Sequence, residues 1–313
     1  MHHPPQPLPE PRPEPAPVYL PFEDAPFRMA MGLTAERTED WIELDEHYTT
    51  EMALRRDLLA QRHDEVFATQ PGSEAAQAEV LNSLAQHLCR RFPAWFEQTG
   101  YALRNRLTGE HWDLANPPYA ALELAGRLVQ EDLCILQEID GAPHLTAAIL
   151  CFPSRWRLAD KIGRPMHMIH APVPFYGERL SKPVDRFIGL LKDDKLVSRL
   201  NWSVIDDPAL FQPTGKGRTA LDPSITAQNA GERLVLRVER QTLRRLPETG
   251  AVLFTIKLYV RPIAGIAAAP ELASRLAGAV RALPPDMQRY KSLQPYRQAL
   301  LDYLDHRGSM ATP

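Results

Sequence analysis

The stretch that most constrains the fold is ERLVLRVERQTLRRLPETGAVLFTIKLYVRP, residues 232–262. Two aliphatic runs flank PETG, a four-residue turn whose glycine suits a left-handed backbone conformation. Side chains alternate along a strand, so Arg240 falls on one face of the first run while Arg237 and Glu239 fall on the other. A hairpin of this length predicts the centre of an antiparallel sheet.

Apolar periodicity outlines the remaining elements. Short apolar runs predict further strands at residues 132–139, 144–152 and 197–206. Amphipathic spacing predicts helices at residues 34–67, 73–92, 154–163, 175–192, 270–282 and 286–304, with Ser73 and Gly163 as caps. Helices first, antiparallel strands next and helices last make the fold class α+β.

The two ends of the chain have the composition of tails. Residues 1–26 hold ten of the thirty prolines, which predicts a disordered or polyproline segment. The closing HRGSMATP, residues 306–313, predicts a second disordered tail. With no internal repeat and no linker between them, a single domain is expected over residues 27–305.

Composition excludes several classes of protein. A net charge of −3 and a pI of about 6.4 give no bulk attraction for nucleic acid or acidic membranes. No apolar run is long enough to span a bilayer, and no signal peptide begins the chain, so a soluble cytoplasmic protein is expected. Cys89, Cys134 and Cys151 are widely spaced without CxxC, which argues against a disulfide framework, an iron–sulfur cluster and covalent haem attachment.

Nucleotide-binding motifs are also missing from the sequence. TGKGRTA, residues 214–220, faintly resembles a phosphate loop but lacks the leading glycine and the Lys-Ser/Thr pair. A flexible basic loop is the simpler interpretation. Any electrons for redox chemistry are therefore expected to come from another protein.

Two groups of polar residues remain as candidates for a site. RPMHMIHAPVPFY, residues 164–176, carries His167 and His170, followed by prolines that fix the backbone. A metal or haem ligand and a histidine that caps a loop are both open interpretations. The second group lies on strands: Arg199, Asn201 and Trp202, then Arg237, Glu239, Arg240 and Gln241. For RVERQTLRR, the run that carries the last four of these residues, a half-solvated strand face with cross-strand ion pairs is the ordinary interpretation.

Several stretches, taken in order, resemble the family of the haem-binding subunit of haem-dependent oxidative N-demethylase. The most specific is the I-H-x-P-V-P core from Ile169 to Pro174. The others are MGLTAERTEDWIELDEHYTTEMALRRDLL, QEDLCIL, RLNWSV and RVERQTLRRLPETGAVLFTIKLYV. Together they cover most of residues 27–305.

The resemblance implies a PAS-like curved antiparallel sheet with flanking helices that binds haem b without covalent attachment. It implies an oxygenase subunit that uses O₂ to demethylate a small methylated amine such as dimethylamine, with release of formaldehyde. It also implies partner reductase subunits that carry FMN, a [2Fe–2S] cluster and electrons from NADPH.

By the same resemblance, His170 is the expected axial ligand of the iron, and His167 is the second choice. A histidine-ligated haem lacks the electron push of a thiolate, so O₂ activation depends on groups on the distal side.

The resemblance assigns expected roles to the strand residues as well. Arg199 and Arg240 are expected to donate hydrogen bonds to bound oxygen, to bind haem propionates or to form ion pairs within the sheet. Glu239 is expected to relay protons or attract a cationic amine. Trp202 is expected to add a cation–π contact, and Lys257 to contact the cofactor.

Two rival functions stay open at this point. The first is a PAS-type haem sensor, against which the lack of an attached output domain weighs. The second is a haem-free member of the family that serves as an interaction module.

Overall fold

The computed structural model describes residues 13–309, which contain ten β-strands. In chain order these are β1 (Thr34–Glu36), β2 (Phe67–Thr69), β3 (Phe96–Thr99), β4 (Ala102–Asn105), β5 (His111–Asp113), β6 (Asp132–Ile139), β7 (Ala142–Ile149), β8 (Leu196–Ile205), β9 (Val235–Arg245) and β10 (Val252–Pro262). Seven of them form an antiparallel sheet in the order β1-β8-β9-β10-β6-β7-β2, and β3, β4 and β5 form a separate sheet.

The predicted hairpin lies at the centre of the large sheet. β9 and β10 pair along their whole length of eleven residues. Gly250, in the turn, has a positive φ of 71°, as its position in PETG predicts. The carboxylate of Glu79 accepts hydrogen bonds from the backbone N–H groups of Glu248 and Thr249, both at 2.8 Å, and fixes the turn.

Twelve α-helices flank the sheets within residues 13–309. They are α1 (Tyr48–Gln61), α2 (His63–Val66), α3 (Glu74–Arg91), α4 (Ala121–Gly126), α5 (Met166–Ile169), α6 (Tyr176–Arg179), α7 (Ser181–Leu190), α8 (Ala230–Arg233), α9 (Ile263–Ile266), α10 (Pro270–Ala282), α11 (Pro285–Tyr290) and α12 (Arg297–Ser309). None of these helices is both long enough and apolar enough to cross a bilayer. The α+β class is confirmed in its antiparallel sheet and flanking helices.

The predicted helix over residues 34–67 is wrong in its first half. Residues 34–36 form β1 and pair with β8, and the α-helix begins only at Tyr48. Between them, Trp41 and Ile42 are buried in the core. These tertiary contacts outweigh the local preference for helix.

Other predicted helices are shorter than expected. Within residues 154–163 only Leu158–Asp160 is helical, as one 3₁₀ turn, although Gly163 has the positive φ expected of a cap. Residues 175–192 divide at Leu180 into α6 and α7. The last predicted helix divides into α11 and α12.

Apolar side chains are buried in two clusters. One joins α1, α3 and α4 to β6 and β7, and the other joins α10 and α12 to residues 234–238 of the sheet. The small sheet of β3, β4 and β5 packs beside the first cluster through Phe96, Leu103 and Trp112. No sequence pattern predicted this small sheet.

The proline-rich start of the chain differs from the predicted disorder over residues 13–26. Phe22 is 1% exposed within the second cluster. Arg261 donates hydrogen bonds to the carbonyl oxygens of Ala16 at 2.9 Å and Pro17 at 3.1 Å. An extended proline-rich segment leaves its carbonyl groups unpaired, and here arginines of the folded domain bind them.

The rest of the two predicted tails is only partly described. Residues 306–309 belong to α12 and are not a frayed end. Residues 1–12 and 310–313 lie outside the described part of the chain.

Candidate functional site

A cavity of about 590 Å³ lies against the face of the sheet formed by β8, β9, β10 and β6. Side chains of α5, α6 and α7 cover it, and α11 and residues 21–33 contribute to its rim. Its polar wall comes from alternate strand positions: Arg199 and Asn201 on β8, and Glu239 and Gln241 on β9. The volume suits a cofactor-sized ligand.

His170 lies in the wall of this cavity, directly after α5. Its Nδ1 is 3.0 Å from the carbonyl oxygen of Met166, and a carbonyl only accepts, so Nδ1 carries the hydrogen. The lone pair is then on Nε2. Burial lowers the pKa of His170 to about 4, so the imidazole is neutral at pH 7. A neutral imidazole with a fixed tautomer is the form that ligates a metal.

The ring of Tyr176 stacks on that of His170, with centroids 4.5 Å apart and planes 15° from parallel. The intervening turn is tight: the N–H of Val173 donates to the carbonyl of His170 at 2.8 Å. Phe175 has a φ of 65°, a strained conformation for a non-glycine residue and one that is concentrated at functional sites. The Tyr176 hydroxyl is buried with no hydrogen-bond partner among residues 13–309.

Three arginines of the cavity wall are paired with Asp206 (Arg155), bound to backbone carbonyls (Arg237) or exposed (Arg28). Four further cations contribute to the wall, and none of these four has a carboxylate within ion-pair distance in the described part of the chain. They are Lys161, Arg199, Lys216 and Lys291. Burial of the ammonium groups lowers the pKa of each of the three lysines to about 8. Unpaired cations in one cavity repel one another, so this arrangement favours an anionic ligand.

Each lysine of this set is positioned by uncharged groups. The Lys161 ammonium donates to the carbonyl of Ile169 at 3.3 Å, and that of Lys291 donates to the carbonyl of Trp202 at 2.5 Å. Lys216 lies over the ring of Tyr290, 4.0 Å from its centroid. None of these contacts neutralises the charge.

Arg199 lies on β8 and contributes to the cavity wall. Its Nε is buried and has no hydrogen-bond partner within residues 13–309. Burial lowers the pKa of Arg199, and the nearby charge of Glu239 only partly offsets this. A buried guanidinium without a partner is the kind of group that a bound anion satisfies.

Glu239 is the carboxylate that the sheet presents to these cations. Its Oε2 accepts hydrogen bonds from Asn201 at 3.2 Å and Gln241 at 2.6 Å. Burial raises the pKa of Glu239, but hydrogen bonds from Ser154 and Asn201 and the charge of Arg237 outweigh it and hold the pKa below its usual range. Glu239 is therefore ionised at neutral pH.

Arg237 has a structural role beside the cavity. Its guanidinium donates to the backbone carbonyls of Phe152, Ala209 and Leu210 at 2.8–3.0 Å. It ties the loops after β7 and β8 to the sheet, and thereby closes one end of the cavity.

Arg240 and Lys257 do not line the cavity. They lie opposite each other on β9 and β10, on the other face of the sheet. The ammonium of Lys257 is 2.9 Å from Asp45, and Arg240 is 3.5 Å from Glu43 and donates to the carbonyl of Asp40 at 2.6 Å. Both hold the segment before α1 onto the sheet.

His167 and Trp202 differ in their relation to the cavity. His167 is exposed on α5 and is not part of the cavity wall. The ring of Trp202 borders the cavity and packs edge-on against Phe22, with centroids 5.9 Å apart. The structure thus brings together in the cavity wall seven of the residues singled out in the sequence: His170, Arg199, Asn201, Trp202, Arg237, Glu239 and Gln241.

Sequence reasoning missed the three lysines and Tyr176. Lys216 lies in TGKGRTA, whose basic character was the available signal, although the loop lines this cavity and does not form a phosphate loop. Tyr176 ends the RPMHMIHAPVPFY stretch. Nothing in the sequence around Lys161 or Lys291 distinguishes them from surface lysines.

No group of three or more histidine, cysteine or carboxylate side chains within residues 13–309 is placed to hold a metal ion. A metal held by side chains alone generally needs such a set, whereas haem iron takes four ligands from its porphyrin and needs one or two from the protein. A lone neutral histidine in a large cavity with cationic walls fits haem better than a bare metal ion.

Residues 32–301 match the family model described as haem-dependent oxidative N-demethylase, alpha subunit-like. The matched region contains β1, the sheet, the I-H-x-P-V-P stretch and all four unpaired cations.

Proposed function

The chain belongs to the haem-dependent oxidative N-demethylase alpha-subunit-like family, and from this premise we propose that it is the haem-binding oxygenase subunit of an N-demethylase. Its substrate is a small methylated amine, of which dimethylamine is the simplest case. Separate reductase subunits with FMN, a [2Fe–2S] cluster and NADPH supply the electrons. The fold is proposed to be PAS-like.

One observation supports this proposal above all. His170, neutral and with its Nδ1–H bound to Met166, lies in the same cavity as four unpaired cations. His170 would hold the iron through Nε2, and two of the cations would bind the two propionate carboxylates of haem b. Tyr176, stacked on the imidazole, would fix the plane of the ligand ring.

When bound, haem supplies the centre at which O₂ is reduced. The overall reaction consumes an N-methyl group, one O₂, two electrons and two protons, and yields the demethylated amine, formaldehyde and water. The chain's own part is to bind, orient and deliver protons. Glu239 is ionised and accepts a proton or binds an ammonium group, and Arg199 donates hydrogen bonds to anionic groups.

The test is haem titration of the full chain and of His170→Ala, followed by the Soret absorbance. We expect the wild type to bind haem stoichiometrically and the variant to lose more than about tenfold in affinity, with unchanged circular dichroism. His167→Ala is the matched control, because this histidine is exposed and outside the cavity. A colourless wild-type protein would favour a haem-free interaction module.

A second measurement separates an enzyme from a sensor. The haem-loaded protein, supplied with a flavin and iron–sulfur reductase, NADPH and O₂, is expected to release formaldehyde from a methylated amine. A haem protein that binds O₂ but releases no formaldehyde from any methylated amine would support the sensor.

A further inference from the structure

The cavity contains more positive charge than haem alone would neutralise. Besides the exposed Arg28 and the carbonyl-bound Arg237, four cations line it without an acid partner among residues 13–309, and the sheet offers them one carboxylate, Glu239. Glu23, at the rim, is exposed and forms an ion pair with Arg275 at 4.0 Å, so its charge is already paired. Two propionates would pair with two of the four cations, and two cations would remain.

Part of this excess lies beside Glu239. Lys291 is 3.4 Å from the side-chain oxygen of Asn201, and the amide nitrogen of Asn201 donates to Glu239. Lys216 lies over Tyr290, the residue next to Lys291 in the chain. One end of the cavity therefore presents a carboxylate and two ammonium groups to the same space.

This pattern selects among amines. A simple dialkylamine is a cation at neutral pH, as the lysine side chain is, and two of its nearest charged neighbours would be cations too. Juxtaposed like charges oppose binding. A ligand with both an ammonium group and a carboxylate would pair with Glu239 and with a lysine at once.

We propose that the substrate is an N-methylated amino acid, or a related methylamine that carries a carboxylate, whose ammonium group contacts Glu239 and whose carboxylate contacts Lys216 or Lys291. This inference rests on the proposed function, and narrows its substrate class. Lys216 and Lys291 are then specificity-determining residues for the carboxylate of the substrate.

The experiment is isothermal titration of the haem-loaded full chain with N-methylglycine and with dimethylamine. We expect N-methylglycine to bind at least about tenfold more tightly, the effect of one charge-assisted hydrogen bond. Lys216→Met is expected to remove most of this preference. Lys216 is exposed as a residue, although its ammonium group lies against the Tyr290 ring at the cavity, and that group has no hydrogen bond in the described residues, so the fold should tolerate the change. Lys291→Met is the second variant.

Lys192→Met is the matched control, because Lys192 is an exposed lysine outside the cavity, and its substitution should leave both affinities unchanged. Equal or tighter binding of dimethylamine, or a preference for N-methylglycine that survives in both cavity variants, would overturn the inference. Neither result touches the proposed function, which fails instead if the wild-type chain gives no Soret band.

Discussion

The two sides of the large sheet use charge in opposite ways. On the face away from the cavity, Lys257 pairs with Asp45 at 2.9 Å and Arg240 lies 3.5 Å from Glu43. On the cavity face, Arg199 and the lysines have no acid partner among the described residues. On β9, Glu239 faces the cavity and the next residue, Arg240, faces the opposite side of the sheet.

The difference shows what each set of charges is for. A buried ion pair satisfies itself and fixes one segment on another, so it leaves nothing for a ligand. Unpaired cations weaken the free protein and become favourable only when an anion is bound. Whether the charges are paired with one another therefore distinguishes the structural face from the proposed binding face.

The largest expected effect follows from breaking a pair on the structural face. Lys257→Met leaves Asp45, which is 2% exposed, without its cation, and should lower the free energy of unfolding by about 3–5 kcal/mol. Urea denaturation of the apoprotein measures this. At the cavity, Lys216→Met should change the free energy of unfolding by less than about 1 kcal/mol. Equal losses from the two variants would remove the distinction between the faces.

The next effect concerns Glu131. Its side chain is fully buried beside Glu43, and this burial raises the pKa of Glu131 to about 7. An acid whose pKa is higher in the folded protein than in the unfolded chain stabilises the folded protein at low pH. This contribution is complete below the ordinary carboxyl range and is lost as the pH rises through about 7.

Glu131→Gln removes this titration and keeps an oxygen for the N–H of Glu43. The variant should therefore gain stability over the wild type as the pH rises from about 4.5 to 8, by up to about 3 kcal/mol. Thermal unfolding at a series of pH values checks it. A difference that does not vary with pH would show that Glu131 is ionised in the folded protein throughout this range.

The smallest expected effect is on the cavity face. Arg199→Met removes a partly buried, unpaired guanidinium and should stabilise the apoprotein by about 1 kcal/mol while it weakens haem binding. Arg186→Met, at an exposed position of α7 outside the cavity, is the control. Loss of stability in Arg199→Met would mean that the guanidinium has a structural partner.

Much of the large sheet follows from sequence pattern, because strand alternation and a glycine turn act locally. The same alternation already separates Glu239 from Arg240, so the sequence itself argues against placing both in one site. His170 was found through a motif. Lys161 and Lys291 could not be found, because a lysine becomes a candidate only when tertiary structure leaves it unpaired. Residues 34–47 were misassigned for a similar reason, since their buried side chains and ion pairs come from distant strands.

The course of the N-terminal segment has a consequence for how the protein is made. Ala16 is bound by Arg261, 245 positions later, and Phe22 packs in a cluster with α10 and α12. Residues 16–22 are synthesised before β10, α10 and α12, so they can pack only after those later elements have been made. Until then residues 21–33 cannot complete the rim of the cavity. The proposed haem could therefore enter the cavity before the N-terminal segment packs, without any opening of the folded protein.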